Sequence, residues 1–201
     1  MARTAKAKMG RPREFSEEAA LDAAMRVFWE KGYEGTSLDD LTAAMGINRS
    51  SLYATFGDKE GLFRRVMDRY SSGPMEFFTR ALKHPKARQA VESLLREGVR
   101  FLSDPQHPRG CLSLQGGLTC GSGIESVKQA MIEWRKTGLQ MIQKRLERAR
   151  KEGDWPGDMN PRDFARYLFI LVNGLSIQAA NGATPAEMNR AVDVALRSLP
   201  I

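Results

Sequence analysis

Apolar residues recur every three or four positions along most of the chain, and this spacing is typical of helices. Leu21, Ala24, Met25 and Phe28 form the first such stripe. The pattern predicts helices over about 17–31, 38–45, 49–56, 59–72, 77–82, 90–103, 122–151, 161–181 and 185–199, with a short, Gly-interrupted apolar segment over 110–118. Pro74 either kinks one long helix or separates two, so we expect about nine helices in an all-α fold.

The second and third of these helices are short and joined by a tight turn. Thr36 and Ser37 supply an N-cap, and Asp40, three residues after Ser37, suits a capping box. Gly46 suits the left-handed position that ends a helix. Asn48 then caps the following helix. A short helix, a turn and a second short helix are the sequence signs of a helix-turn-helix unit.

The second short helix has one apolar face and one polar face. Leu52 and Phe56 are four residues apart and should pack inward. The exposed side carries Arg49, Ser50, Ser51, Tyr53 and Thr55. Such a helix fits a recognition helix in the major groove of DNA, whereas a hairpin that only packs has no need for this polar row.

Residues 38–63 read Leu38-Asp-Asp-Leu-Thr-Ala-Ala-Met-Gly-Ile-Asn-Arg-Ser-Ser-Leu-Tyr-Ala-Thr-Phe-Gly-Asp-Lys-Glu-Gly-Leu-Phe63. This order resembles the DNA-binding signature of the TetR/AcrR family of transcriptional regulators. The similarity covers about Arg11 to Phe63. Thr55 departs from the family pattern, which usually has His at this position, so a contact of this residue with the DNA backbone is left open. The resemblance implies a helix-turn-helix repressor that acts as a homodimer on a palindromic double-stranded operator.

These positions define a predicted DNA site. It comprises Arg11, Arg13, Thr36, Ser37, Asn48, Arg49, Ser50, Ser51, Tyr53, Thr55 and Lys59. The N-terminus of the second helix, at Thr36 and Ser37, offers free N–H groups to a phosphate. The resemblance makes Lys59 a phosphate contact, although a plain surface lysine fits its charge equally well. Arg11 and Arg13 either enter the minor groove or belong to a solubilising tail.

Charge and composition divide the chain into three parts. Residues 1–14 are basic and lack apolar spacing, so we expect a disordered arm. Residues 15–72 form the predicted helix-turn-helix domain, and residues 73–201 a helical domain for effector binding and dimerisation. The formal net charge is +7, but residues 1–72 hold 12 Lys and Arg against 11 Asp and Glu. Bulk charge therefore does not locate the DNA site.

The helix predicted over 161–181 is apolar nearly all round its middle. Such a helix needs partners on every side. We expect the last two helices to pair with their copies in a four-helix homodimer interface, as the resemblance also implies. A monomer that buries both helices in its own core is the alternative.

The C-terminal helices carry more bulky apolar residues than an architectural DNA binder requires. We predict an effector pocket lined by Phe101, Leu112, Leu114, Met131, Trp134, Phe169 and Asn173. Its mostly apolar lining favours a small hydrophobic effector that releases the operator. A packed core is the alternative for such a Met and aromatic stripe.

Two cysteines and two histidines limit the other chemistries. His107, Cys111 and Cys120 do not have the paired spacing of structural zinc sites, so we expect no metal and no cofactor. A thiol- or metal-responsive regulator switched through Cys111 and Cys120 remains the alternative, because some regulators that resemble TetR sense through a cysteine in this region.

Motifs for catalysis and for membrane insertion are missing from the sequence. It has no Gly-x-Ser-x-Gly elbow, no phosphate-binding glycine loop and no His-Glu-x-x-His, so we expect no enzyme. The longest apolar run, near 168–172, is too short to span a bilayer. The basic residues 1–10 lack the apolar region of a secretory signal, so we expect a cytoplasmic protein.

Overall fold

The computed structural model describes residues 16–115 and 125–197, and every regular element in those two ranges is a helix. There are ten of them, one more than the sequence pattern suggested. They are α1 Glu17–Gly35, α2 Leu38–Met45, α3 Arg49–Phe56, α4 Lys59–Ser72, α5 Glu76–Ala81, α6 Ala87–Leu102, α7 Leu112–Gln115, α8 Glu125–Lys151, α9 Pro161–Ala180 and α10 Pro185–Arg197. None of these ten is long and apolar enough to cross a membrane.

Local capping signals set most of the helix starts. Ser16 caps α1, where its hydroxyl accepts from the Ala19 amide at 3.3 Å. Asp58 accepts from the Gly61 amide at 2.7 Å and begins α4. Asn160 caps α9, and its first residue, Pro161, is where the sequence pattern begins this helix.

The end of α1 differs from the prediction. The sequence pattern ends this helix near residue 31, and Gly32, the next residue, does adopt a left-handed φ of 71°. The chain nevertheless resumes a helical turn to Gly35, so the result is a kink followed by a short extension. This extension places Tyr33 in the core, with only 7% of its surface exposed.

The N-terminal core lies between α1, α2, α3 and α4. Its fully buried side chains include Phe28, Trp29, Leu41, Leu52, Phe63 and Tyr70. Three residues from later in the chain, Leu112, Val127 and Met131, complete the same cluster. The helix-turn-helix region is therefore continuous in packing with α7 and α8, which gives the two halves of the protein a shared apolar contact.

A second core lies between α5, α6, α8, α9 and α10. Leu94, Leu95, Ile142 and Leu146 are at its centre, each no more than 1% exposed. Pro74 separates α4 from α5, which decides between the two interpretations of that proline. The start of α8 that the sequence placed at residues 122–123 lies outside the described residues.

Candidate DNA-binding site and regulatory cavity

The turn between α2 and α3 is held by backbone geometry and two caps. Ser37 and Asp40 form the expected capping box, with the Asp40 amide 3.0 Å from the Ser37 hydroxyl and the Ser37 amide 2.9 Å from the Asp40 carboxylate. Gly46 ends α2 with φ 65°. The Asn48 side chain accepts from the Ser51 amide at 2.8 Å and begins α3. These local bonds fix the angle at which α3 leaves the domain.

Helix α3 packs against the domain through its apolar face, and its polar face is exposed. Leu52 is fully buried and Phe56 is 7% exposed. Arg49, Ser50 and Tyr53 are exposed, and Tyr53 is among the few large apolar side chains on the surface, at 48%. The structure therefore brings the predicted base-reading residues to one open face.

Ser51, Thr55 and Lys59 are half-buried beside that face. The Lys59 ammonium lies 4.4 Å from the centre of the Tyr33 ring, which holds it by a cation–π contact. Burial lowers the pKa of Lys59, against the opposing effect of Glu34. The lysine is thus positioned at the first turn of α4.

Thr36 does not lie where the sequence suggested. Its side chain is only 1% exposed, and its hydroxyl donates to the Gly32 carbonyl at 2.6 Å. That hydroxyl ties the kinked end of α1 and does not face outward, so the expectation that it holds a phosphate is corrected. Ser37 is exposed, as expected. Arg11 and Arg13 lie outside the described residues, as does the whole arm 1–14.

An apolar cavity of about 230 Å³ opens between α4, α5, α7, α8 and α9. Three of the seven predicted lining residues are in its wall: Trp134, Phe169 and Asn173. Its wall also includes Phe78, Cys111 and Ser113. Trp134, Phe169 and Asn173 place α8 and α9 on two sides of the cavity.

The other four predicted lining residues lie elsewhere. Leu112 and Met131 are buried in the N-terminal core. Leu114 is 7% exposed and Phe101 is half-buried, and neither lines the cavity. Phe101 instead contacts Phe77 and His107 in tilted ring pairs, with ring centres 5.1 and 4.6 Å apart. Helix α6, which carries Phe101, does not line the cavity, and α7 contributes Ser113 to its wall instead of Leu112 or Leu114. Met131 lies on the part of α8 that packs against the N-terminal core.

Two hydrogen bonds connect α4 directly to α8. The Trp134 indole donates to the Ser71 hydroxyl at 2.8 Å, and both residues line the cavity. At the other end of α4, the Ser126 hydroxyl donates to Glu60 at 2.7 Å. A molecule in the cavity would therefore touch the helix that begins at Lys59.

Comparison with known proteins adds the family. The family model described as "Bacterial regulatory proteins, tetR family" matches residues 20–66, and "Tetracyclin repressor-like, C-terminal domain" matches residues 85–195. The HTH-type transcriptional repressor ComR of Escherichia coli K12 is 32% identical over 97% of this chain and 94% of its own. The chain belongs to the TetR family. It is a DNA-binding transcriptional repressor of that family.

Two further relatives extend the comparison. YezE of Bacillus subtilis 168, an HTH-type transcriptional regulator, is 32% identical over 95% of this chain and 100% of its own. The TetR-family regulator CifR, solved as a cysteine mutant with 26-bp double-strand operator DNA, has a TM-score of 0.91 and 38% identity. The match covers 94% of this chain and 100% of that one. The order of helices described above is therefore that of a TetR regulator.

Sequence reasoning missed two features of this TetR-family protein. The first is the ion pair of Arg49 with Asp39, at 2.7 Å, because nothing in a spacing of ten residues across a turn signals it. The second is the position of Cys111, already a candidate thiol switch from the sequence, in the cavity wall beside Tyr70, whose hydroxyl donates to the sulfur at 3.3 Å. Burial raises the pKa of Tyr70 well above its ordinary value, so this phenol stays protonated as a donor.

Proposed function

We propose that this TetR-family protein is a homodimeric repressor that leaves a palindromic operator when a small, mostly apolar effector fills the cavity between α4 and α8. The observation that carries the proposal is the Trp134–Ser71 bond, which joins the cavity wall to α4. DNA contact, dimerisation and effector release each have separate structural support.

Exposed polar side chains on α3 support DNA contact. Arg49 and Ser50 project from a helix that Leu52 and Phe56 hold in place. An arginine pairs with the O6 and N7 atoms of guanine, and a serine hydroxyl pairs with either base type. The Tyr53 ring suits a thymine methyl or a phosphate.

Phosphate contacts would fix the depth and angle of docking. Ser37 is exposed, but its amide and its hydroxyl both donate to the Asp40 carboxylate. The phosphate contact at α2 would therefore come from the other amides of its first turn, at the positive end of the helix dipole. Lys59 adds a full charge at the start of α4. We leave out Thr36, whose hydroxyl is used internally.

An unpartnered apolar face on α9 supports the homodimer. Tyr167, Ile170 and Ile177 lie on one side of this helix and are 42%, 62% and 47% exposed. Val194 of α10 adds a fourth apolar side chain at 58% exposure. Burial of this face against a second copy would remove it from water, which is the usual fate of such a patch.

The cavity supports an effector with an apolar body and few polar groups. Phe78, Met141 and Phe169 supply its apolar wall, while Asn173 and Thr137 offer hydrogen bonds. An effector that competes for the space beside Trp134 weakens its bond to Ser71 and shifts α4 relative to α8. For release, it must bind the DNA-free form more tightly, and a hundredfold preference is worth about 2.7 kcal/mol of coupling.

Selection of bound duplexes from a random pool tests DNA recognition, and we expect a palindrome. A thermal-shift screen with a mixed small-molecule library, followed by DNA release, tests the cavity. Val172→Phe places a larger side chain in the cavity wall and should abolish the response while keeping DNA affinity. Hits that are all polar anions, or that stabilise the protein without releasing DNA, would contradict the effector assignment.

A thiol switch is the second candidate, and the position of Cys111 favours it. The Cys111 sulfur lies 3.1 Å from the Ser113 hydroxyl and 3.3 Å from that of Tyr70, in the cavity wall. Its modification would disturb α4, which carries Tyr70. Cys120 lies outside the described residues. If Cys111→Ser still binds the ligand in its cavity but no longer releases DNA, the thiol switch is favoured over the effector.

A further inference from the structure

An arginine at the first position of α3 is held by a carboxylate from the first turn of α2. Arg49 donates to Asp39 Oδ1 twice, from Nε at 3.2 Å and from Nη2 at 2.7 Å. The two side chains are 59% and 77% exposed, so the pair lies on the open face and is not part of the core. Pairs of this kind add little to folding stability.

The donors that remain on Arg49 have a defined direction. A guanidinium carries five N–H donors in a rigid plane. Asp39 occupies the Nε–Nη2 edge, which leaves the edge formed by Nη1 and the second Nη2 hydrogen free. That edge presents two parallel N–H groups, the arrangement that matches the O6 and N7 atoms of a guanine.

We propose that Asp39 is a positioning residue that aims Arg49 at a guanine in the operator, so that a carboxylate on α2 sets the base preference of α3. This inference rests on the DNA binding proposed above. Asp39 also carries a negative charge toward the phosphates, which opposes binding to any sequence. Its contribution is therefore to discrimination between bases and not to overall affinity.

The neighbouring carboxylate, that of Asp40, has a different role from that of Asp39. Asp40 accepts from the Ser37 amide and from Lys31, the latter at 2.5 Å. It closes the capping box of α2 and has no contact with Arg49 among the bonds described. Asp39 is thus the acidic residue of this turn that is aligned with the recognition helix.

The test compares base preference in the full-length protein, Asp39→Ala, Asp39→Asn and the control Glu30→Ala. Glu30→Ala removes an exposed carboxylate from α1 in the same domain. The guanine is identified as the base whose preference disappears in Arg49→Ala. Titrations then use the selected duplex, the same duplex with that guanine replaced, and an unrelated duplex.

Asp39→Ala should lower the preference for guanine about 2- to 10-fold, the effect of leaving one long side chain to be ordered on binding. Affinity for the unrelated duplex should stay the same or rise, because a negative charge is removed. Asp39→Asn keeps a hydrogen-bond acceptor, so its guanine preference should lie between those of the wild type and Asp39→Ala. Glu30→Ala should keep the wild-type preference. In an Arg49→Ala background, Asp39→Ala should change no base preference.

Two results overturn the inference. One is that the wild-type protein prefers guanine and Asp39→Ala keeps the same preference. The other is an equal loss in Glu30→Ala, which would make the effect one of general charge. If the wild-type protein selects no sequence at all, the proposed DNA recognition fails as well. Thermal melts of each variant show that folding is retained, and Asp39→Asn replaces Asp39→Ala if the latter unfolds.

Discussion

Replacement of Trp29 by phenylalanine tests the contact between the helix-turn-helix region and the rest of the protein. Trp29 lies in α1 with 1% of its surface exposed. Its indole donates to the buried Gly110 carbonyl at 3.2 Å, 81 residues later in the chain. Its ring also stacks on His107 at 4.6 Å and meets Tyr70 edge-on at 5.0 Å.

The expected cost follows from two losses. Phenylalanine keeps one aromatic ring but leaves the Gly110 carbonyl without its donor, which costs about 1–3 kcal/mol for a buried group. The missing part of the indole leaves a small cavity and costs about 1 kcal/mol more. The free energy of unfolding should therefore fall by about 2–4 kcal/mol.

Urea denaturation followed by circular dichroism measures this loss, and a DNA titration measures its consequence. Trp155→Phe is the matched control, because Trp155 is 7% exposed and donates to the Met159 carbonyl at 2.9 Å within the C-terminal core. Both variants should lose stability, but only Trp29→Phe should also weaken DNA binding, since α1 packs against α2 and α4. A loss below about 1 kcal/mol, or unchanged DNA affinity, would contradict this role of Trp29.

Three further substitutions test the phosphate contact, the dimer interface and the capping box of α2. Lys59→Ala should weaken binding to all DNA sequences about equally and lower the salt slope by about one unit in a titration series; a loss confined to one sequence would indicate base readout. Ile170→Asp should dissociate the dimer in sedimentation, whereas Ile132→Asp on α8 should not, and a dimer that survives Ile170→Asp would contradict the α9 interface. Hydrogen bonds from Lys31 and Ser37 hold the pKa of Asp40 well below its usual value, so its stabilisation is present above about pH 4 and is lost as pH falls through the lowered pKa. Thermal melts of Asp40→Asn should therefore differ from wild type at pH 7 and converge with it in strong acid; a constant difference would contradict this assignment.

Capping residues could be predicted because their partners are three or four residues away. The Ser37–Asp40 box, the Asn48 cap and the Asn160–Pro161 start of α9 all lie where the sequence indicates. Periodicity likewise gave the helices and the inward faces of α3. Local hydrogen bonding and the helical repeat are properties of a short stretch of chain, so they leave a visible pattern.

Contacts across the fold left no such pattern. The Thr36 hydroxyl turns inward because Gly32 kinks α1, and a kink that is followed by further helix has no sequence sign distinct from a helix end. Phe101 and Met131 have the composition of cavity residues but face other helices. Which face of an amphipathic helix meets a cavity depends on how the helices are packed, and periodicity does not determine it.

In the proposed repressor, two copies of α3 read successive major grooves on one face of a palindrome. The most direct measurement is the affinity of the purified protein for the selected palindrome and for the same duplex with five base pairs, roughly half a turn, inserted between its halves. We expect the insertion to lower the affinity at least about tenfold, because the second copy of α3 then faces away from its groove. Equal affinity for the two duplexes would contradict it.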